Sequence, residues 1–292
     1  MRISHIINPV AVDNSSDLFI AQPVTFKSMQ VARDYSHDQV STNIYSAQYA
    51  EDRALVPDHL KTTTDLQRSV LDFGNFQKKR KLPLIKDILD RLYASDDSDV
   101  MIYSNVDIAL MPHFYISVMK IIESGYDAFV INRRTIPKNF TTPEQLYLMY
   151  PQMGEKHPGY DCLVFKRNMY PEFNLGKAVI GANWIGRVLI SNLICHAKRF
   201  NVFEDLHLTF HIGDDRSWKT PENSAFDNHN EKELHRILLD YKNRGLVDGK
   251  PLVKKFLHQI EHPPQTQLNQ TSKARQIKNT IKNMLIQAIQ KI

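Results

Sequence analysis

The chain has 292 residues, 42% of them hydrophobic, 10% aromatic and 24% charged, which suits one large α/β domain with or without a tail and argues against disorder. Its two cysteines, Cys162 and Cys195, lie far apart in apolar stretches, which argues against a disulfide framework or zinc ribbon and for buried thiols in a reducing compartment. The net charge of +5 is modest and gathers near the C-terminus among few aromatics, so no nucleic-acid partner is expected.

Residues 2–7 read as a first strand, residues 25–35 as a helix and residues 41–47 as a second strand. Leu82, Ile85, Leu89 and Leu92 share one helical face, with Pro83 in the first turn, where its missing N–H does no harm. Val100-Met101-Ile102-Tyr103 is a continuous apolar run of the kind that forms a buried strand. A helix through Phe114, Val118, Ile121 and Ile122 stops at Gly125, and residues 128–131 return as a strand. Residues 162–165 give another buried strand, residues 182–200 a helix and residues 206–210 a late strand. Residues 231–243 are helical; Gly245, Gly249 and Pro251 then break the chain, and residues 262–271 read as a linker before a terminal helix over residues 272–292.

Short β-rich runs alternating with amphipathic helices predict an α/β sheet, with a domain over residues 1–245 and, over residues 246–292, a linker and a basic amphipathic C-terminal helix. The N-terminal residues hold no long apolar core and no stretch reaches membrane-spanning length, so a cytoplasmic protein is expected. In the terminal helix Ile277, Ile281, Met284, Leu285, Ala288 and Ile292 line one face, with Lys278, Lys282 and Lys291 away from its centre. Such a helix can lie peripherally on an anionic membrane or pack on protein; the lack of Trp or Phe anchors favours packing.

Three segments hold side chains suited to chemistry. Tyr103-Ser104-Asn105-Val106-Asp107-Ile108 places a carboxylate directly after a buried strand, where α/β sheets present ligands. Asp107 can bind a hard divalent cation, which prefers oxygen ligands and shares them with phosphates, while Asn105 can hydrogen-bond a ribose or phosphate. An Asn-x-Asp after a strand also caps turns through its own side chains. His211, two residues ahead of Gly213-Asp214-Asp215, offers an imidazole ligand beside carboxylates, although the acids equally suit a solvated turn. Arg133 and Arg134 follow a strand and can grip a phosphate with a guanidinium fork, or pair on the surface. The basic run Lys78-Lys79-Arg80-Lys81 precedes a helix start that favours anions.

In chain order, several segments together resemble the GT-A glycosyltransferases, within them a poorly characterised bacterial branch, over roughly residues 1–240. They are Lys81-Leu82-Pro83-Leu84-Ile85-Lys86-Asp87, Ile102-Tyr103-Ser104-Asn105-Val106-Asp107-Ile108 and Gly159-Tyr160-Asp161-Cys162-Leu163-Val164-Phe165. Phe173-Asn174-Leu175-Gly176-Lys177, Ile180-Gly181-Ala182-Asn183-Trp184-Ile185-Gly186 and His211-Ile212-Gly213-Asp214-Asp215 through Trp218 continue the match. The resemblance implies a GT-A-like Rossmann-type mixed sheet flanked by helices. It also implies transfer of a sugar from a nucleoside-diphosphate sugar to a hydroxyl acceptor, a glycan or lipid-linked molecule, in glycan or polysaccharide biosynthesis.

By the same resemblance Asn105 and Asp107 stand where the family binds Mn2+ or Mg2+ and the diphosphate, with Asn in place of the first acid and His211 completing the metal site. Asn8-Pro9 or Gln22-Pro23, the Glu51-Asp52 pair, and Arg80 or Lys81 would meet the nucleotide. An inverting enzyme of the family needs a carboxylate to take the acceptor's proton, and Asp161, ahead of a strand, and Glu172, before Phe173, are the candidates. Relatives carry an Asp just after the tryptophan corresponding to Trp184, where Ile185-Gly186 stand here, and that departure leaves the base unassigned. A nucleotidyltransferase is the less suited alternative, since residues 8–17 contain no glycine for a phosphate loop; a non-catalytic protein that keeps the fold is the other, supported by Asn105. The sugar-transfer reading requires Asp107 and His211 to converge on one pocket.

Overall fold

A computed structural model describes residues 1–213 and 223–263 of the chain; the Asp214-Asp215 pair and the expected terminal helix fall outside them. Residues 1–250 form one unit and residues from Pro251 a second.

The first unit opens with β1 (Arg2–Ile7), buried from Ile3 onward. α1 (Leu18–Ser36) begins earlier than the sequence suggests and runs through Pro23. The loop ahead of it is tied to that turn: the Val10 N–H donates to Gln22 Oε1 at 2.9 Å, and Gln22 Nε2 donates back to the Val10 carbonyl at 3.3 Å. β2 (Ser41–Ser46) and the two-residue β3 (Lys61–Thr62) follow. α2 (Ile85–Ser95) starts after Pro83, which is bridged to Ser69 outside the helix instead of sitting in its first turn.

β4 (Val100–Ser104) is buried at every position, as its unbroken apolar sequence requires. After β5 (Ala109–Leu110) and α3 (Phe114–Glu123) come β6 (Ala128–Ile131), β7 (Arg134–Ile136), the short α4 (Leu146–Met149) and β8 (Glu155–Lys156). β9 (Cys162–Lys166) leads, through residues 167–184, to α5 (Ile185–His196). The helix expected over residues 182–200 is shorter because Trp184 has φ 73°, outside helical geometry, and because Phe200 opens a further strand, β10 (Phe200–Phe203). β11 (Thr209–Ile212) starts after His207, whose φ of 46° breaks the extended run expected from Leu206. α6 (Ser224–Asn243) ends the first unit's regular structure.

Seven strands form one sheet in the order β10-β6-β9-β4-β1-β2-β3. All neighbours are parallel except at β9, which runs against both β4 and β6. The register Tyr103↔Leu163 and Ser104↔Cys162 brings the start of β9 beside the end of β4. The residues that follow β1, β2, β4 and β6, together with those that precede β9, therefore share one edge of the sheet. A second sheet, β5-β11-β7-β8, is built from the segments that leave that edge, with Phe210 opposite Ala109 and His211 opposite Thr135.

One face of the large sheet carries Ile3, Ile7, Ile102, Phe129, Ile131 and Val164, which pack with Phe26 and Met29 of α1 and with Phe114, Tyr115 and Val118 of α3. The spacing of two between Ile3, His5 and Ile7 sends His5 into the same layer. It is fully buried, with Nε2 2.8 Å from Ser104 Oγ and Nδ1 3.1 Å from Tyr115 Oη. A smaller cluster of Val70, Phe76, Leu82, Leu84, Val179 and Phe226 joins the loops around residues 70–84 and 179–182 to α6.

The second unit contributes α7 (Pro251–Glu261), within residues given to breaks and linker on sequence grounds. Pro251 suits its first turn, and Val253, Phe256 and Leu257, spaced by three and one, form its buried face, with Lys254 and Lys255 exposed.

Candidate active site

The shared edge of the large sheet collects most of the side chains expected to work together. Asp107 stands in the turn between β4 and β5, which is closed by the Ile108 N–H donating to the Asn105 carbonyl at 3.1 Å. His211 comes from β11, which pairs with β5 through Thr209↔Leu110 and Phe210↔Ala109, so the hairpin-like contact of β5 and β11 carries the two side chains together. His211 Nε2 lies 3.2 Å from Asp107 Oδ2.

His211 Nδ1 is 2.6 Å from the Gly213 carbonyl, which can only accept, so Nδ1 holds a hydrogen. In a neutral ring Nε2 then presents its lone pair to a carboxylate oxygen. Two acceptors at that distance need a proton or a bound cation between them; with no cation present, the pKa directions of the two groups favour the imidazolium–carboxylate form. Burial alone would raise the Asp107 pKa and lower that of His211; the hydrogen bond and charge that each supplies to the other outweigh it. Asp107 consequently sits below the ordinary carboxylate range and His211 above the ordinary imidazole value. The other Asp107 oxygen, Oδ1, is buried and has no hydrogen-bond partner.

Beside this pair, Asp161 at the start of β9 is ion-paired with Arg133 Nη1 and accepts from Asn105 Nδ2 at 3.2 Å. The Asn105 N–H also donates to the Asp161 carbonyl at 3.0 Å, and Tyr103 Oη donates to Asn105 Oδ1 at 3.1 Å. Both ends of the Asn105 amide are thus committed within the protein. Arg133 is close enough to lower the pKa of both Asp107 and His211, so Asp107, His211, Asp161, Arg133 and Asn105 form one charged cluster with Tyr103 at its edge. Tyr103 is held protonated by burial and by the charges of Asp107 and Asp161.

The remaining expected residues divide. Asn8, directly after β1, is buried and its Nδ2 donates to the Ala47 carbonyl at 2.6 Å, tying the ends of β1 and β2. Asp52 is buried nearby and accepts from the Ala11 N–H at 2.8 Å; burial raises its pKa. Lys81 is ion-paired with Glu51 and lies 4.0 Å from the Tyr49 ring centroid, so its charge is already answered. Arg80 differs: it is partly buried, burial lowers its pKa, and among the described residues no acid or acceptor meets its guanidinium. Glu172 is not brought to this edge. β9 runs toward the opposite edge, and Glu172 lies beyond its end, exposed and 3.8 Å from Arg244.

The local geometry admits a divalent cation in a limited way. Asp107 supplies an unsatisfied buried carboxylate oxygen, and His211 an imidazole whose Nδ1–H is fixed by a backbone carbonyl, the usual outer-shell arrangement for a ligating histidine. No group of three or more His, Cys, Asp or Glu converges among the described residues. Two protein ligands are the arrangement expected when a cation draws its other oxygens from a bound phosphate and water.

Neither a protein-family model nor a curated protein matches the chain. Solved structures do. The crystal structure of S. aureus TarS residues 1–349 in complex with UDP-GlcNAc matches 89% of this chain and 71% of that chain, with a TM-score of 0.52 and 7% identity. A further crystal structure of S. aureus TarS residues 1–349 gives a TM-score of 0.53 and 9% identity over 89% of this chain and 70% of that one. A longer TarS chain gives 0.50 and 10% over 89% of this chain and 43% of that one. The chain has the GT-A fold. The reversed β9, the run of parallel strands that ends at one edge and the small second sheet beyond it are this chain's form of the GT-A fold.

One feature of this GT-A domain was missed in the sequence. Trp184, half-buried, caps α5 in the left-handed region, and the first turn of α5 carries no acid. The segment Gly181-Ala182-Asn183-Trp184 was the available signal: a glycine and an asparagine crowded ahead of a helix mark an unusual backbone entry.

Proposed function

We propose that the chain is a glycosyltransferase that moves a sugar from a nucleoside-diphosphate sugar to a hydroxyl acceptor, assisted by Mn2+ or Mg2+. The observation that carries this is the Asp107–His211 pair, with one carboxylate oxygen facing Nε2 at 3.2 Å and the other buried without a partner. Such a pair suits a cation that brings the rest of its oxygen ligands with a diphosphate.

When bound, the cation would offset the negative charge that grows on the diphosphate as the glycosidic bond breaks. Asp107 and His211 would hold it. Arg80, a partly buried guanidinium without an acid among the described residues, is suited to the diphosphate, since a buried cation is costly until an anion meets it. Asp161 is the carboxylate of the cluster suited to receive the acceptor's proton, with Arg133 and Asn105 fixing its orientation. Asn8 shapes the floor beneath the nucleotide by joining the ends of β1 and β2.

Titrating UDP, GDP and dTDP calorimetrically, with and without manganese, tests the reading. Binding of at least one of them, strengthened by manganese and weakened about tenfold or more in Asp107→Asn, is the expected result; no binding of any would overturn it.

A second reading is a donor-binding protein without transfer activity. It is favoured by Asn105 standing where an acid is expected and by the absence of an acid in the first turn of α5. Under that reading manganese-dependent binding persists, but no sugar is released from the bound donor to water or to any hydroxyl acceptor.

A further inference from the structure

The large sheet ends at β3 on one side and at β10 on the other, and the two edges are built differently. An edge strand presents backbone N–H and C=O groups that can pair with another chain, and native proteins blunt it with lysine, proline, a bulge or shortness. β3 has two residues, one of them Lys61. β10 is Phe200-Asn201-Val202-Phe203, without a charge or a proline, and each of its side chains is half-buried. Among the described residues it pairs with β6 alone, so its outer edge is open. Phe203 holds the strand to the core, its ring centroid 5.5 Å from that of Tyr126 and 5.6 Å from that of Phe129.

The flanks of β10 carry opposite charges, Lys198-Arg199 before it and Glu204-Asp205 after it, all exposed. Two of the four are engaged within the chain. Arg199 Nη1 donates to the Ser124 carbonyl at 2.6 Å, with its guanidinium 4.1 Å from the Tyr126 ring centroid, and Asp205 is ion-paired with Arg134 and Lys156. The other two are not: neither the Lys198 ammonium nor the Glu204 carboxylate forms an ion pair among the described residues.

A second copy of the same strand supplies what both lack. Identical strands paired antiparallel are related by a two-fold axis perpendicular to the sheet, which keeps every side chain on its own face. A residue can then stand opposite only positions an even number away from its own, so Asn201 or Val202 lies on the axis of a centred pairing. With Asn201 there, Lys198 stands opposite the partner's Glu204 and Phe200 opposite the partner's Val202, an aromatic–β-branched pair, each twice by symmetry. With Val202 there, Lys198 meets the partner's Leu206 and Glu204 the partner's Phe200. Charge selects the first register.

We propose that the outer edge of β10 is a self-association surface, which pairs antiparallel with β10 of a second copy about Asn201. The two large sheets then join into one. Because the partner's strands run the opposite way, the edges that carry Asp107 and His211 face opposite ends of the joined sheet, and neither site borrows a residue from the other. The ladder is short, so the dimer is weak and concentration-dependent. None of this depends on the sugar-transfer reading.

Sedimentation velocity on the full chain, from about 1 μM to about 1 mM, should show a monomer–dimer equilibrium. Lys198→Glu sets like charges opposite each other, as does Glu204→Lys, and each alone should raise the dissociation constant about tenfold or more. An equal mixture of the two variants should associate again, because each charge then meets its opposite. Asn201→Cys reads the register. Facing Cα atoms about 4.5–5.5 Å apart are within reach of a disulfide, so mild oxidation should link this variant to itself, and Val202→Cys far less.

A monomer throughout that range overturns the proposal. So does a dimer that neither charge reversal weakens, a mixture that associates no better than its components, or Asn201→Cys that cross-links no better than Val202→Cys. Should a charge reversal unfold the chain, the two cysteine variants decide the question alone.

Discussion

His211 Nε2 and Asp107 Oδ2 lie 3.2 Å apart, one delivered by β11 and the other by the turn after β4. Nδ1–H of the same ring is held by the Gly213 carbonyl, so the pair can exist only with a proton or a metal ion on the Nε2 side. Asp107→Asn should weaken manganese-dependent UDP binding by about tenfold or more, as outer- and inner-shell changes at metal sites do. In the same variant the His211 pKa should fall, because its carboxylate partner is the cause that raises it. Calorimetry and a histidine NMR titration check the two effects separately.

The pair also fixes a pH dependence. A cation needs the neutral imidazole, and Asp107 raises the His211 pKa above its ordinary value of 6.5. Manganese affinity should therefore climb as pH rises through that raised pKa and level off above it. The contribution of the His211–Asp107 ion pair to stability runs the other way. It is complete below the unfolded histidine pKa while Asp107 remains ionised, and is lost as pH rises through the folded value. A manganese titration repeated between pH 5.5 and 8.5, with constant affinity throughout, would contradict the assignment.

Arg80 predicts opposite signs for stability and binding. Removing a partly buried cation that no described acid answers relieves a desolvation cost, so Arg80→Met should unfold at or above the temperature of the parent. If the guanidinium meets a diphosphate, UDP binding should weaken in that same variant. Differential scanning calorimetry and UDP titration together separate this from a packing role, for which both would fall.

The Arg133–Asp161 ion pair is largely enclosed, with side-chain exposures of 11% and 14%. Arg133→Ala leaves the Asp161 carboxylate buried beside Asp107 and should destabilise the fold by about 3 kcal/mol. Adding Asp161→Asn should return part of that loss, because the stranded charge is gone. Urea denaturation of the two single variants and the double variant gives the coupling directly.

Acid should unfold the domain through His5. Burial pushes its pKa down to about 3, below the ordinary 6.5, so between those values the unfolded chain binds a proton that the folded chain refuses. Stability should then fall with decreasing pH by about 1.4 kcal/mol per unit from this residue alone. His5→Gln, which keeps hydrogen-bonding capacity toward Ser104 and Tyr115, should flatten the slope below pH 6. An unchanged slope would place the acid sensitivity elsewhere.

Much of the sheet was legible because its strands are short apolar runs with no rival periodicity: residues 2–7 and 128–131 form strands with the expected bounds. The second sheet was not, since β5 and β8 have two residues each, too few to show alternation. β10 was hidden inside an apolar stretch that also suits a helix; the strained Trp184 and the pairing of Phe200 with Ala128 decide it. In the site, Asp107 and His211 could be named from residue type and position after strands. The ion pair of Arg133 with Asp161 could not, because it depends on β9 running backward, and that same reversal carries Glu172 to the far edge.

The direction of β9 has a consequence for how the molecule comes together. β4 and β6 are not hydrogen-bonded to each other; β9 is inserted between them and bonds to both. Until residues 162–166 are seated, the β4 edge of the β4-β1-β2-β3 block stays open and β6 has no strand to pair with, since β10 follows later in the chain. The charged cluster spans that same gap, with Asn105 and Asp107 on one side and Arg133 on the other, and it is completed only when His211 follows on β11.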